Sequence, residues 1–175
     1  MAKQKKWGKD GYLQNFEKNK EGKYAYTGEL WQADNTKRQR VLIRLWVLCF
    51  GQLLAVILPG LFTTAGFSGS FYVILPYAFW LICSGYLVYL LGRMTFGGNP
   101  MRDYVYERSV PRYVSCAGAA SFGAALTALG LLLFFVRGGT GQGGALCFAC
   151  CLFQGIDFLL IRKCKIVEIW KKINI

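Results

Sequence analysis

Residues 113–136 read YVSCAGAASFGAALTALGLLLFFV, twenty-four positions without one Asp, Glu, Lys or Arg. A helix needs about 20 mostly apolar residues to cross a hydrocarbon core of about 30 Å, so this stretch alone is long enough to span a bilayer. It has no strand-like alternation, and an open sheet could not satisfy its backbone in lipid. Working outward, three further long apolar runs with at most one charge each occur at 41–64, 71–92 and 144–161. The reading is an all-α integral membrane protein with four transmembrane helices. A polar N-terminal segment (1–40), the membrane domain (41–161) and a C-terminal segment (162–175) divide the chain.

Composition agrees. With 54% hydrophobic and only 17% charged residues, the chain is too apolar for an ordinary soluble domain. The net charge of +12 is confined to the two ends and one loop, which suits anionic lipid headgroups better than nucleic acid. No nucleic-acid module is recognisable, so nucleic acid is not an expected partner. The first forty residues are hydrophilic, which places the start of insertion at the first apolar run rather than at a signal peptide.

Lys and Arg fall as ten in residues 1–40, Arg44 just inside the first run, four from Arg93 to Arg112, and five from Arg162 onward, against Arg137 alone in the remaining connections. The positive-inside rule then puts both termini and the middle loop in the cytoplasm, in a multi-pass protein of the plasma (inner) membrane. The outer connections, 65–70 and 137–143, are short and rich in Gly, Ser and Thr, as in tight helix–helix links. Activity is therefore expected within the membrane or at its cytoplasmic face.

Helices associate in lipid through close backbone approach, which small residues four apart allow. The third run carries Ser115, Ala119, Gly123 and Thr127 on one stripe and Cys116, Ala120, Ala124 and Ala128 on the next; the fourth carries Gly143, Cys147, Cys151 and Gly155. Ala119, Gly123, Thr127, Cys147, Cys151 and Gly155 are the packing residues expected to join these two helices to each other, or to a copy in a partner subunit. Pro59 and Pro76 lie near the outer ends of their runs and read as tolerated structural prolines, with a functional kink as the alternative.

Two charges lie well within the runs, Arg44 and Asp157, both near the cytoplasmic end. An ion pair between them would remove two isolated charges from a poorly solvated layer, and an intramembrane ionisable residue is also a candidate proton or cation site. Gln52 and Gln154 are expected to make interhelical hydrogen bonds. The chain has no histidine, so the commonest general base and metal ligand is missing, and no cofactor or metal is expected. The seven cysteines lie in or beside apolar runs and read as reduced packing residues.

Cys147-Phe148-Ala149-Cys150 is nevertheless a C-x-x-C in the outer half of a helix. In that feature and in its helix count the chain resembles the vitamin K epoxide reductase-like, quinone-linked thiol oxidoreductases, which implies a redox pair at Cys147 and Cys150. Those enzymes relay electrons through a second cysteine pair in an outer loop. Neither outer connection here contains cysteine.

Outside the runs, Phe16 to Lys18 and Lys23 to Thr27 flank the turn residues Asn19-Lys20-Glu21-Gly22, a pattern that predicts a small β-hairpin. Asn99-Pro100 and Pro111 bracket a short interfacial helix over 101–110. Residues 165–175 place Ile166, Ile169, Trp170 and Ile173 opposite Lys165, Glu168, Lys171 and Lys172, which predicts an interfacial amphipathic helix. Trp7, Trp31, Trp170, Lys171 and Lys172 are the expected lipid-interface residues.

Surfaces suited to association outnumber chemical motifs. The expectation is a non-catalytic accessory or assembly subunit that binds other membrane subunits or its own copies. A small oligomeric transporter or channel around Asp157 is the alternative, and the thiol oxidoreductase is a third reading.

Overall fold

A computed structural model describes residues 16–18, 24–26, 28–61, 69–139 and 143–173. Four helices dominate: α1 (Asn35–Leu61), α2 (Phe71–Phe96), α3 (Asp103–Val136) and α4 (Gly144–Lys163). Each is long and apolar enough to cross a membrane. They form an up-and-down bundle in which α2 and α3 share the most extensive contact, and α3–α4, α4–α1 and α1–α2 complete the ring. Large apolar side chains point outward all round, among them Ile43, Val47 and Phe50 on α1, Leu75 and Ile82 on α2, Leu129 on α3 and Ile156 on α4. A contiguous apolar exterior of this kind is what lipid covers in a multi-pass membrane protein.

The small residues of α3 do their work mainly against α2. A methyl group at Gly123 would stand 3.2 Å from the backbone nitrogen of Trp80, and one at Gly130 would stand 2.6 Å from the carbonyl oxygen of Tyr72. Both glycines let the two backbones approach. The third and fourth helices do lie against each other, and at Gly123 the small-residue stripe of α3 is also closed by α2.

The bundle is not all-helical at its ends. Strands β1 (Phe16–Lys18) and β2 (Tyr24–Tyr26) pair antiparallel with Phe16 opposite Tyr26, as the turn residues between them suggested. Strands β3 (Leu30–Ala33), β4 (Met101–Arg102) and β5 (Trp170–Ile173) form an antiparallel sheet in the order β4-β3-β5. Its register sets Trp31 opposite Met101 on one side and Lys172 on the other. One strand comes from the segment before α1, one from the connection between α2 and α3, and one from the segment after α4. All three therefore lie at the same end of the bundle, which requires an even number of crossings.

Two sequence expectations fail here. The helix foreseen over 101–110 and ended by Pro111 is instead the first part of α3, which runs unbroken through that proline. An interior proline costs about 3 kcal/mol in a helix. The buried stripe Tyr106, Ser109, Val110, Tyr113, Ala117, Ala120 continues across Pro111, itself exposed, so the packing of that stripe outweighs one lost backbone bond. The amphipathic helix foreseen over 165–175 does not form in the described residues 165–173: Lys165 takes a left-handed conformation (φ 46°), a single 3-10 turn follows (Ile166–Ile169), and the chain then joins the sheet as β5. Eleven residues are marginal as an isolated helix, whereas β3 offers a partner for the backbone.

Candidate functional site: a sealed platform and a polar seam

At the sheet end, aromatic residues from three parts of the chain form a small platform. The Trp31 ring stacks on Tyr106 with centroids 3.9 Å apart, and Tyr106 meets Trp170 edge-on at 6.2 Å. The Trp31 indole Nε1 donates to Asp103 Oδ1 at 2.9 Å. Asn99 closes the connection between α2 and α3 onto β3: its Nδ2 donates to the Ala33 carbonyl at 2.7 Å, and its Oδ1 accepts from the Ala33 amide at 3.2 Å. Arg38 places its guanidinium 5.8 Å over the Trp170 ring and donates from Nη2 to the Met94 and Thr95 carbonyls at 3.0 and 3.1 Å. Those carbonyls belong to the last turns of α2, where a helix has no donors of its own.

The expected lipid-interface residues divide accordingly. Trp170 is buried and Trp31 half-buried in the platform, whereas Lys171 and Lys172 are exposed, Lys172 forming an ion pair with Glu29 at the sheet margin. The Trp31 indole, held by stacking and a hydrogen bond, and the buried Trp170 ring both help to organise the protein interior at this end. Trp7 lies outside the described residues.

Inside the bundle, all four helices contribute polar side chains to one seam. Gln52 on α1 donates from Nε2 to Ser84 Oγ on α2 at 3.3 Å, and Ser84 donates in turn to the Trp80 carbonyl at 2.9 Å. The Trp80 indole crosses the bundle axis and donates to Gln154 Oε1 on α4 at 3.2 Å. Both glutamines thus make the interhelical bonds expected of them. Nearer the platform, Asp157 and Tyr113 are 1% and 0% exposed, and Cys49 and Cys164 complete the group within electrostatic range of the carboxylate.

The seam's bonding is incomplete. Among the described residues, Gln52 Oε1, Gln154 Nε2, the Tyr113 hydroxyl and both carboxylate oxygens of Asp157 are buried without a hydrogen-bond partner. The expected Arg44–Asp157 ion pair does not form. Arg44 is exposed on the outer face of α1, one residue off the buried stripe Leu45, Cys49, Gln52 and Val56, while Asp157 faces the interior. Unfilled acceptor and donor positions in an apolar interior are costly, and side chains so placed suit a cation, a proton or a water molecule.

The remaining site residues separate. Gly123 and Thr127 are buried, Thr127 donating to the Gly123 carbonyl at 2.8 Å, and Ala119 sits at the edge of the core. Cys147 and Cys151 are buried, one turn apart and in contact. Gly155 has nothing within 4 Å of the position its Cβ would take, so it is not a close-packing position among the described residues. Cys147 and Cys150 are both free thiols. Cys83 and Cys116 adjoin each other, Cys116 Sγ donating to the Cys83 carbonyl at 3.5 Å.

Tyr113, Trp80, Ser84, Asp103 and Tyr106 carry no site role in the sequence reading, and Asn99 enters it only as part of a helix start. Trp80 and Ser84 had a signal: an indole N–H in mid-helix must find an acceptor, and a serine one turn on adds another polar group to the same face. No family model, curated protein or solved structure matches this chain.

Proposed function

We propose that this chain is a non-catalytic accessory or assembly subunit of a membrane complex, with both termini and the platform on the cytoplasmic side. One observation carries the reading: three separate segments converge to build a rigid aromatic and β-structured platform at one end of the bundle. The outer edges of β4 and β5 have no further strand among the described residues, and sheet edges of this kind accept a partner's backbone. The orientation is supported by charge, since the segments that meet at the platform carry the Lys and Arg and the opposite connections carry Arg137 alone. Purification from native membranes in mild detergent is expected to bring down stoichiometric partner subunits or further copies of the chain. A lone monomer across several mild detergents overturns this reading.

The unpartnered Asp157 favours a second reading, a small transporter or channel in which this carboxylate and the glutamines meet a cation or a proton. In proteoliposomes, Asp157→Asn is then expected to abolish the flux that the natural chain supports. Flux equal to that of the natural chain, or none from either protein, rejects it.

A further inference from the structure

Between the opening turns of α1 and the closing turns of α4, at the platform end, a groove of about 380 Å³ opens sideways from the bundle. Ile43, Val47, Leu48 and Leu160 form its apolar wall, Arg44 and Lys163 bring two positive charges, and no acidic residue lines it. Arg44 and Lys163 are exposed. Neither has an ion pair among the described residues. The neighbouring Arg162 is engaged differently, its guanidinium 5.9 Å over the Phe158 ring.

The order of these residues along the bundle selects the occupant. Lys163 lies at the platform end of α4 with Leu160 one turn deeper, and Arg44 precedes Val47 and Leu48 by one turn on α1. Ile43 is 64%, Val47 68% and Leu160 42% exposed, so the wall belongs to the apolar exterior that faces acyl chains. An occupant must have an anionic head at the platform end and an apolar tail running toward the bundle's middle. We propose that this groove binds one anionic phospholipid, its phosphate between Arg44 and Lys163 and an acyl chain along Val47, Leu48 and Leu160. The inference does not depend on the assembly reading, because binding is measured on the isolated chain.

The test is native mass spectrometry of the purified full-length protein in mild detergent, titrated with phosphatidylglycerol, with phosphatidylcholine of the same acyl chains, and with inorganic phosphate. Phosphatidylglycerol is expected to be retained in preference to phosphatidylcholine. Arg44→Gln with Lys163→Gln should weaken it about thirtyfold, at about fivefold for each cation near a lipid phosphate. Arg44→Lys with Lys163→Arg, which keeps both charges, should hold the preference, and Arg162→Gln should leave it unchanged. Val47→Trp fills the groove at an exposed position and should weaken phosphatidylglycerol while both cations remain. Equal retention of the two lipids, or an unchanged preference in the doubly neutralised variant with native helicity by circular dichroism, overturns the proposal. Retention of inorganic phosphate that survives Val47→Trp also overturns it, because that identifies a simple anion site.

Discussion

The platform and the seam are both built from buried polar and aromatic groups, yet they are finished to different degrees. At the platform, the Trp31 indole, the Asn99 amide and the Arg38 Nη2 each meet a partner at 2.7 to 3.2 Å, and a single buried atom, Arg38 Nε, is left unmatched among the described residues. In the seam, four residues keep buried polar atoms unmatched among the described residues, Asp157 through both of its oxygens. A polar network that is satisfied rigidifies a fold, and one that is partly satisfied is maintained at a cost to it. The platform therefore reads as the part that holds the molecule together, and the seam as the part kept for something else.

The largest expected effect breaks the comparison at the platform. Trp31→Ala removes the ring stacked on Tyr106 and leaves the buried Asp103 carboxylate without its indole donor. A loss of about 3 kcal/mol is expected, at the low end for a large aromatic because Trp31 is only half-buried. Thermal unfolding in detergent measures it. A shift no larger than that of an exposed control such as Lys171→Ala would remove the platform's structural role.

The next effect has the opposite sign. If Asp157 is a burden to the fold, Asp157→Leu removes a buried unsatisfied carboxylate and should stabilise the bundle by about 2 kcal/mol. The same unfolding measurement decides it. Destabilisation would show that Asp157 has a structural partner, and the contrast between seam and platform would then dissolve.

The two regions also differ in how far a sequence exposes them. The four helices were legible because a run of about 20 mostly apolar residues with at most one charge has few other fates, and the β1–β2 hairpin because its turn residues sit between alternating aromatics. The platform sheet was not legible. Ile166, Ile169, Trp170 and Ile173 fit a helical period as well as any amphipathic helix does, and only the three-dimensional approach of β3 makes the strand the better state for Trp170–Ile173. Pro111 misled for a related reason: its cost is local, whereas the stripe from Tyr106 to Ala120 that offsets it is a tertiary property. Position along the chain puts Arg44 in the first half of α1 and Asp157 in the second half of α4, toward the same end of the bundle. It carries no information about rotation, and a single residue of offset from the buried stripe turns Arg44 by about 100° toward the exterior.

The smallest expected effect sharpens the comparison within the seam itself, between its bonded and unbonded halves. Gln52 Nε2 to Ser84 Oγ is a buried interhelical bond of 3.3 Å, and such bonds in membrane bundles contribute on the order of 0.6 kcal/mol. A double-mutant cycle with Gln52→Leu and Ser84→Ala should return a coupling of about that size. The Gln52→Leu single variant should lose little more, because it also removes the unmatched Oε1 of Gln52. A coupling of several times this value would mean that the bond anchors α1 to α2 as firmly as the platform anchors the chain segments around it. The unmatched Gln52 Oε1 and Gln154 Nε2 would then belong to a firmly bonded layer, and the search for a bound cation or proton would narrow to Tyr113 and Asp157, one layer nearer the platform.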